Sequence, residues 1–186
     1  MLFCPEINSI ELNDNGKIFS IEHINKLDDN NEYGKFHKFF FKANDNGEIS
    51  KRIFLSYKIN EYNEQLTKKF EKERNLRICC ALQLDDNNNI LHKDFIPCLF
   101  CSLPLVGSER QQFPFFVNSP DFEPDSERTS LLLDGKEINE KTGKISEPGI
   151  NKMILLRVTK IYKAFLDYIC KTDIRKRYFL INGRYK

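Results

Sequence analysis

FHKFFFKANDNGEISKRIFLSYKI, residues 36–59, consists of two strand-forming runs joined by Asn44-Asp45-Asn46-Gly47. Asn and Gly tolerate the positive φ angles that a tight hairpin turn requires. Beyond the turn, Ile53, Leu55, Tyr57 and Ile59 alternate with polar residues at the period of a strand. The same arrangement precedes it, with residues 7–12 and 17–24 flanking Asn13-Asp14-Asn15-Gly16. Two consecutive hairpins of this kind point to an antiparallel sheet.

Working outward, residues 77–84 and 95–105 are apolar at nearly every position on either side of Asp85-Asp86-Asn87-Asn88-Asn89. That pattern predicts central strands buried on both faces. Residues 115–117 extend the sheet, residues 118–128 form a loop restrained by Pro120 and Pro124, and the chain resumes at residues 129–133. Between the second hairpin and the central strands, residues 61–74 carry only Leu66 and Phe70 as an apolar pair, which suits a short helix or a solvated loop. At the C-terminal end Ile150, Ile154, Val158, Ile161, Phe165, Leu166 and Ile169 recur at three- and four-residue steps. This spacing predicts a helix of about five or six turns with one apolar face. The expected fold class is α+β, an antiparallel sheet of consecutive hairpins packed by a long C-terminal helix. The expected organisation is a hairpin-rich sheet domain over residues 1–134, an exposed, mobile linker over 135–148, and a helix with a basic tail over 149–186.

A chain of 186 residues, 40% of them hydrophobic, can build one good core. Its formal charge of +2 supplies no broad electrostatic footprint for nucleic acid or an anionic membrane. No run approaches the roughly 18 uninterrupted apolar residues of a membrane span, so no membrane partner is expected. Cys4, Cys79, Cys80, Cys98, Cys101 and Cys170 lie mostly in strand-like apolar runs, which fits a reducing, cytoplasmic setting. Strand-like sequence begins at Leu2 with no polar lead-in, so Met1 is expected to lie inside a longer ancestral domain.

The familiar catalytic patterns are thin. Cys98 and Cys101 form a C-x-x-C without the further ligands of a tetrahedral zinc site, so they are expected to be buried strand thiols. His23, His37 and His92 are far apart and are expected at the surface or a sheet edge. Asp28-Asp29 and Asp85-Asp86 are adjacent carboxylates, which point to opposite sides of a strand or lie in a turn, and so do not share an acid-base site. Gly107-Ser108 follows a strand but lacks the spacing of a phosphate-cradling loop. Lys171, Arg175, Lys176, Arg177, Arg184 and Lys186, interleaved with Tyr178, Phe179 and Tyr185, form a basic aromatic tail. A solvated helix end accounts for that tail better than nucleic-acid binding does.

One resemblance stands out. Phe100-Cys101-Ser102-Leu103-Pro104-Leu105, the Gly107-Ser108-Glu109 turn, Phe113-Pro114-Phe115-Phe116-Val117-Asn118-Ser119, and Phe122-Glu123-Pro124 with Glu127-Arg128 resemble a pattern in sacsin-like ATP-binding proteins. These belong to the GHKL superfamily, alongside the ninety-kilodalton heat-shock chaperones. Residues 2–12 are similar to the strand by which such proteins leave their nucleotide-binding lobe, and the helix near Ile150, with Leu155, Tyr162 and Leu166, to the one that follows. The resemblance spans roughly residues 2–170. It implies a segment downstream of an ATP-binding lobe, coupled to a chaperone-like activity and an unknown protein client. The superfamily's Glu/Asn helix, its D-x-G-x-G and its glycine-rich lid are missing from this sequence, so ATP with magnesium would be held mainly by an upstream lobe. By the same resemblance, Arg128 would reach the terminal phosphate, with Asn118 and Ser119 beside the nucleotide. A guanidinium suits that role because its fixed donors stabilise charge on phosphoryl oxygens. The plainer reading of Arg128 is a surface ion pair with Glu123, Asp125 or Glu127. Other functions consistent with the sequence are a stand-alone protein- or nucleic-acid-interaction module without enzymatic activity, or a remnant of a split gene.

Overall fold

The structure is a computed structural model and describes residues 2–3, 6–32, 34–91, 96–111 and 113–176. Four strands run consecutively as an antiparallel meander: β1 (Ser9–Asp14), β2 (Lys17–Asn31), β3 (Gly34–Asp45) and β4 (Glu48–Tyr62). The two hairpin turns explain themselves. Asn15 and Gly16 have φ of 52° and 84°, and Asn46 and Gly47 have 52° and 95°, which matches the right-handed twist of the flanking strands. Asn13 Oδ1 and Asn44 Oδ1 accept from the backbone N of Gly16 and Gly47, so each turn carries its own clamp.

A short helix, α1 (Glu64–Phe70), follows. Asn63 Oδ1 caps it by accepting from Leu66 N at 2.9 Å, and Leu66 is buried. Phe70 stays exposed, with the Arg74 guanidinium 4.0 Å from its ring centre. Next comes β5 (Asn75–Leu84), buried from Ile78 onward, as expected of a central strand.

The expected strand over residues 95–105 is interrupted. β6 (Leu99–Cys101) ends where Ser102 adopts a φ of 61°, and the chain doubles back as the two-residue β7 (Leu103–Pro104). Nor does β6 pair with β5. Instead β8 (Phe116–Asn118) wedges between them, antiparallel to β5 and parallel to β6, giving the order β1-β2-β3-β4-β5-β8-β6-β7. The wedge holds because Ser108 Oγ accepts from both Cys98 N and Leu99 N, pulling the 107–108 turn under β6. Residues 129–133 form no strand. They contribute one bridge, Pro124 to Leu131.

Helix α2 (Glu147–Lys171) covers one face of this sheet. Ser146 caps it, and Gly149 is required in its first turn because a Cβ there would sit 2.2 Å from the Glu137 carbonyl oxygen. Ile150, Ile154, Val158, Ile161, Phe165 and Ile169 are all buried, the stripe that the spacing predicts. They meet Ile53, Leu55, Ile78, Cys80, Leu82 and Val117 in one core. Phe36 anchors the far end, stacked on Tyr168 at 4.2 Å and edge-on to Phe165 at 5.3 Å. Residues 135–148 are exposed as far as Gly143 and close on themselves by a bridge between Ile138 and Ile145, whose side chain is buried.

Among the described residues the opposite face carries no helix. Ring contacts cross it from His23 through Phe41, Phe54, Phe116 and Phe100 to Phe3. At its β1–β2 end the face is bare, with Ile10 47% and Leu12 60% exposed. Among the described residues no helix is long and apolar enough to cross a membrane.

Candidate functional site

On the open face, strand register assembles one polar row. Lys58 of β4 lies opposite Cys79 of β5, which lies opposite Asn118 of β8. One step along, Asn60 lies opposite Arg77. Together with Phe3 and Pro120 they line a cleft of about 480 Å³. A wider cleft of about 890 Å³, reaching Lys72 and Arg74, shares Asn60 and Arg77 with it.

Asn118 reaches this face because β8 alternates: Phe116 points to the aromatic row, Val117 into the core and Asn118 back to the open side. Only 7% of Asn118 is exposed, and its Oδ1 accepts from Ser102 N at 3.0 Å. A backbone N–H can only donate, so this bond fixes the orientation of the carboxamide. Nearby, the buried Asp121 carboxylate organises the basic groups. It accepts from Arg77 N at 3.1 Å and pairs with Arg77 Nη2 at 3.4 Å and Arg74 Nε at 3.9 Å.

Arg128 is built by a turn over residues 125–130. Arg128 N donates to Asp125 O, and the Asp125 carboxylate accepts from Ser130 Oγ, Thr129 N and Thr129 Oγ1, each at 2.8 Å. These bonds, the Ser130 hydroxyl first, lower the Asp125 pKa to about 2. The Arg128 backbone is left-handed, with φ of 55°, and its Nη2 donates to the Cys101 carbonyl at 3.0 Å. Arg128 and Asn118 therefore hold consecutive residues, Cys101 and Ser102, of the β6–β7 reversal. Asn118 lines the cleft and Arg128 does not. Among the described residues Arg128 forms no ion pair with Glu123, Asp125 or Glu127. Ser119 is fully buried, its Oγ accepting from Asp121 N and its own N donating to Phe100 O.

The remaining motifs are accounted for by structure. Cys98 Sγ donates to Ser108 O and Cys101 Sγ to Phe122 O. Burial raises the Cys98 pKa and pushes that of Cys79 up to about 12. Gly107-Ser108 packs beneath β6, with Ser108 fully buried. Asp28 and Asp29 do point apart: Asp28 meets His37 Nδ1 at 2.7 Å, while Asp29 accepts from Tyr168 Oη of α2 at 2.8 Å. Asp85 ties its own turn by accepting from Asn87 N and Asn89 N. His23 packs on Phe39 and Phe41. His92 and the tail from Arg177 onward lie outside the described residues. Among the described residues no cluster of three or more His, Cys, Asp or Glu is placed to hold a metal ion.

No family model, curated protein or solved structure matches this chain.

Lys58 and Arg77 were missed as site residues. Their signal was faint, because a polar residue on alternate positions of a strand ordinarily marks a solvated face. Asn151 was missed as well. Fully buried in α2, it accepts from Glu123 N and donates to the carbonyls of Glu123 and Leu132, clamping the loop that carries Arg128.

Proposed function

We propose that this chain is the transducer segment of a sacsin-like GHKL ATPase, cytoplasmic, coupling an ATP-binding lobe to a chaperone-like activity on a protein client. The observation that supports this most is the Arg128 turn. Asp125 and the Asn151 clamp fix the backbone, and one bond to Cys101 O fixes the guanidinium. The side chain is partly exposed, and a guanidinium has five N–H donors, so further donors can face a partner lobe docked on this edge.

ATP with magnesium supplies the transferable phosphoryl group when bound in the partner lobe. The residues of this chain fit one part of that task. Ser108 and Ser119 are buried and engaged, so they cradle no phosphate. Arg128 would hold its positive charge against the terminal phosphate oxygens and stabilise charge developing there. Asn118 acts from the cleft side, keeping the Ser102 backbone in place and with it the carbonyl that Arg128 grips. On this reading the isolated chain does not turn ATP over. Phosphate release by the purified chain, abolished by Arg128→Ala, would overturn it.

A second reading is an interaction module without enzymatic activity. It is favoured by the exposed Ile10 and Leu12 on the edge strand β1. Retention of client binding by a chain carrying Arg128→Ala, with loss on Leu12→Lys, would select it.

A further inference from the structure

We propose that the open-face cleft is a binding site for a small organic anion, one acid group on an apolar body, with Asn118, Arg77 and Lys58 receiving the acid group. This goes beyond the Arg128 reading and does not rest on it.

The donors come first. Asn118 is buried, its Oδ1 is taken by Ser102 N, and among the described residues its Nδ2 has no partner. Held in one orientation at the wall of the cleft, that amide nitrogen is free to donate to a ligand acceptor. Lys58 lies two strands away in the same row, with Cys79 between them, and Arg77 is one step along. Residues of three different strands thus line one cleft, a rigid platform rather than a loop, with the Lys58 ammonium resting 5.2 Å from the centre of the Phe39 ring, from where its flexible stem can swing to a ligand.

Charge then limits what they take. The cleft and its neighbour carry the cations Lys58, Lys72, Arg74 and Arg77, and the carboxylates Glu6, Glu73 and Asp121 stand against them. Four positive charges less three negative leave one, which a single acid group neutralises. Asp121 holds Arg77 by its backbone N and by Nη2, so the guanidinium keeps a fixed direction with donors to spare.

The rest of the wall is mixed. Beside the polar Glu6, Asn60 and Ser102, an apolar part formed by Leu2, Phe3, Pro120 and the buried Cys79 faces the same space. The Cys79 thiol is protonated at neutral pH, because burial raises its pKa to about 12, so it behaves as a small apolar group. A cleft of about 480 Å³ falls within the size of small-molecule sites. Carboxylate and phosphate share the acceptor chemistry these donors require.

The test uses the full chain, ¹⁵N-labelled, titrated with 8-anilinonaphthalene-1-sulfonate, a probe with one anionic group on an aromatic body. The expected result is a saturable shift of the Asn118 side-chain amide pair. Lys58→Ala and Arg77→Ala should each weaken binding about tenfold; Lys58 is exposed, so its variant reports on binding without disturbing the fold. Decanoate and decyl phosphate should displace the probe, the stronger of the two identifying the natural acid group, while decanol should not. The proposal is overturned if the Asn118 amide pair does not move. It is overturned equally if shifts are confined to the bare β1–β2 end, if neither substitution weakens binding, or if decanol competes as well as the acids.

Discussion

Asp121 Oδ2 accepts from the backbone N of Arg77 at 3.1 Å, joining the loop after β8 to the start of β5 across 44 residues of sequence. The Asp121 side chain is only 2% exposed, while that of Arg77 is about half exposed. Removing the carboxylate therefore leaves a backbone donor unsatisfied but strands no buried charge. Asp121→Ala should lower stability by about 1.5–3 kcal/mol, the range for a hydrogen bond to a charged group. Urea denaturation followed by circular dichroism would measure it, and Asp121→Asn should lose less.

Asn151 should matter more than its place on a helix suggests. It satisfies one backbone N–H and two carbonyls of the 123–132 segment. Asn151→Ala leaves Glu123 N and the Leu132 carbonyl without that partner, while the Glu123 carbonyl keeps Leu132 N, and each group so abandoned costs about 1–3 kcal/mol. A loss of about 3 kcal/mol or more is expected in denaturant unfolding. Asn151→Leu, which fills the volume but makes none of the bonds, should not recover it.

The contrast between these residues and the hairpins shows what could be read from sequence. Asn46-Gly47 and the stripe from Ile150 to Ile169 are local: turn chemistry and helical period act over a few residues. The break at Ser102 is not local. It depends on β8 inserting between β5 and β6, and nothing in the apolar run over 95–105 marks the residue that leaves the strand. The row of Lys58, Cys79 and Asn118 becomes visible only when strand order and register are known. Arg128 is singled out in the sequence only by a resemblance, and its bond to Cys101 O could not be read there, because the expected partners were the acids beside it.

Asp125 gives the Arg128 turn a pH dependence. Its folded pKa, about 2, lies below the ordinary 3.8. A lowered carboxylate pKa means that the contribution to stability is present above the ordinary value and is lost as pH falls through the folded one. The turn should thus be intact above about pH 4 and loosen toward pH 2. Amide shifts of Thr129 and Ser130, followed by NMR across that window, should titrate together. Asp125→Ala should abolish the transition and give the loosened spectrum throughout.

Thiol chemistry provides an independent check on the core. Burial raises the pKa of Cys79 to about 12, that of Cys80 well above the usual thiol value, and that of Cys98 as well. Thiolate is the reactive form, so iodoacetamide at neutral pH should leave these three unmodified in the folded chain. Cys170, exposed near the end of α2, should be alkylated. Peptide mapping by mass spectrometry reads both, and alkylation of Cys79 at the rate of Cys170 would contradict the packing of β5.

The most direct test of the functional account is ATP turnover by a protein that carries a nucleotide-binding lobe ahead of this chain, with and without Arg128→Ala. Removing one charge-stabilising donor from a transition state lowers kcat by about 100- to 1,000-fold. A loss of that size, with KM for ATP and thermal stability little changed and partial rescue by Arg128→Lys, is the expected result. An unchanged kcat would contradict the assignment of Arg128.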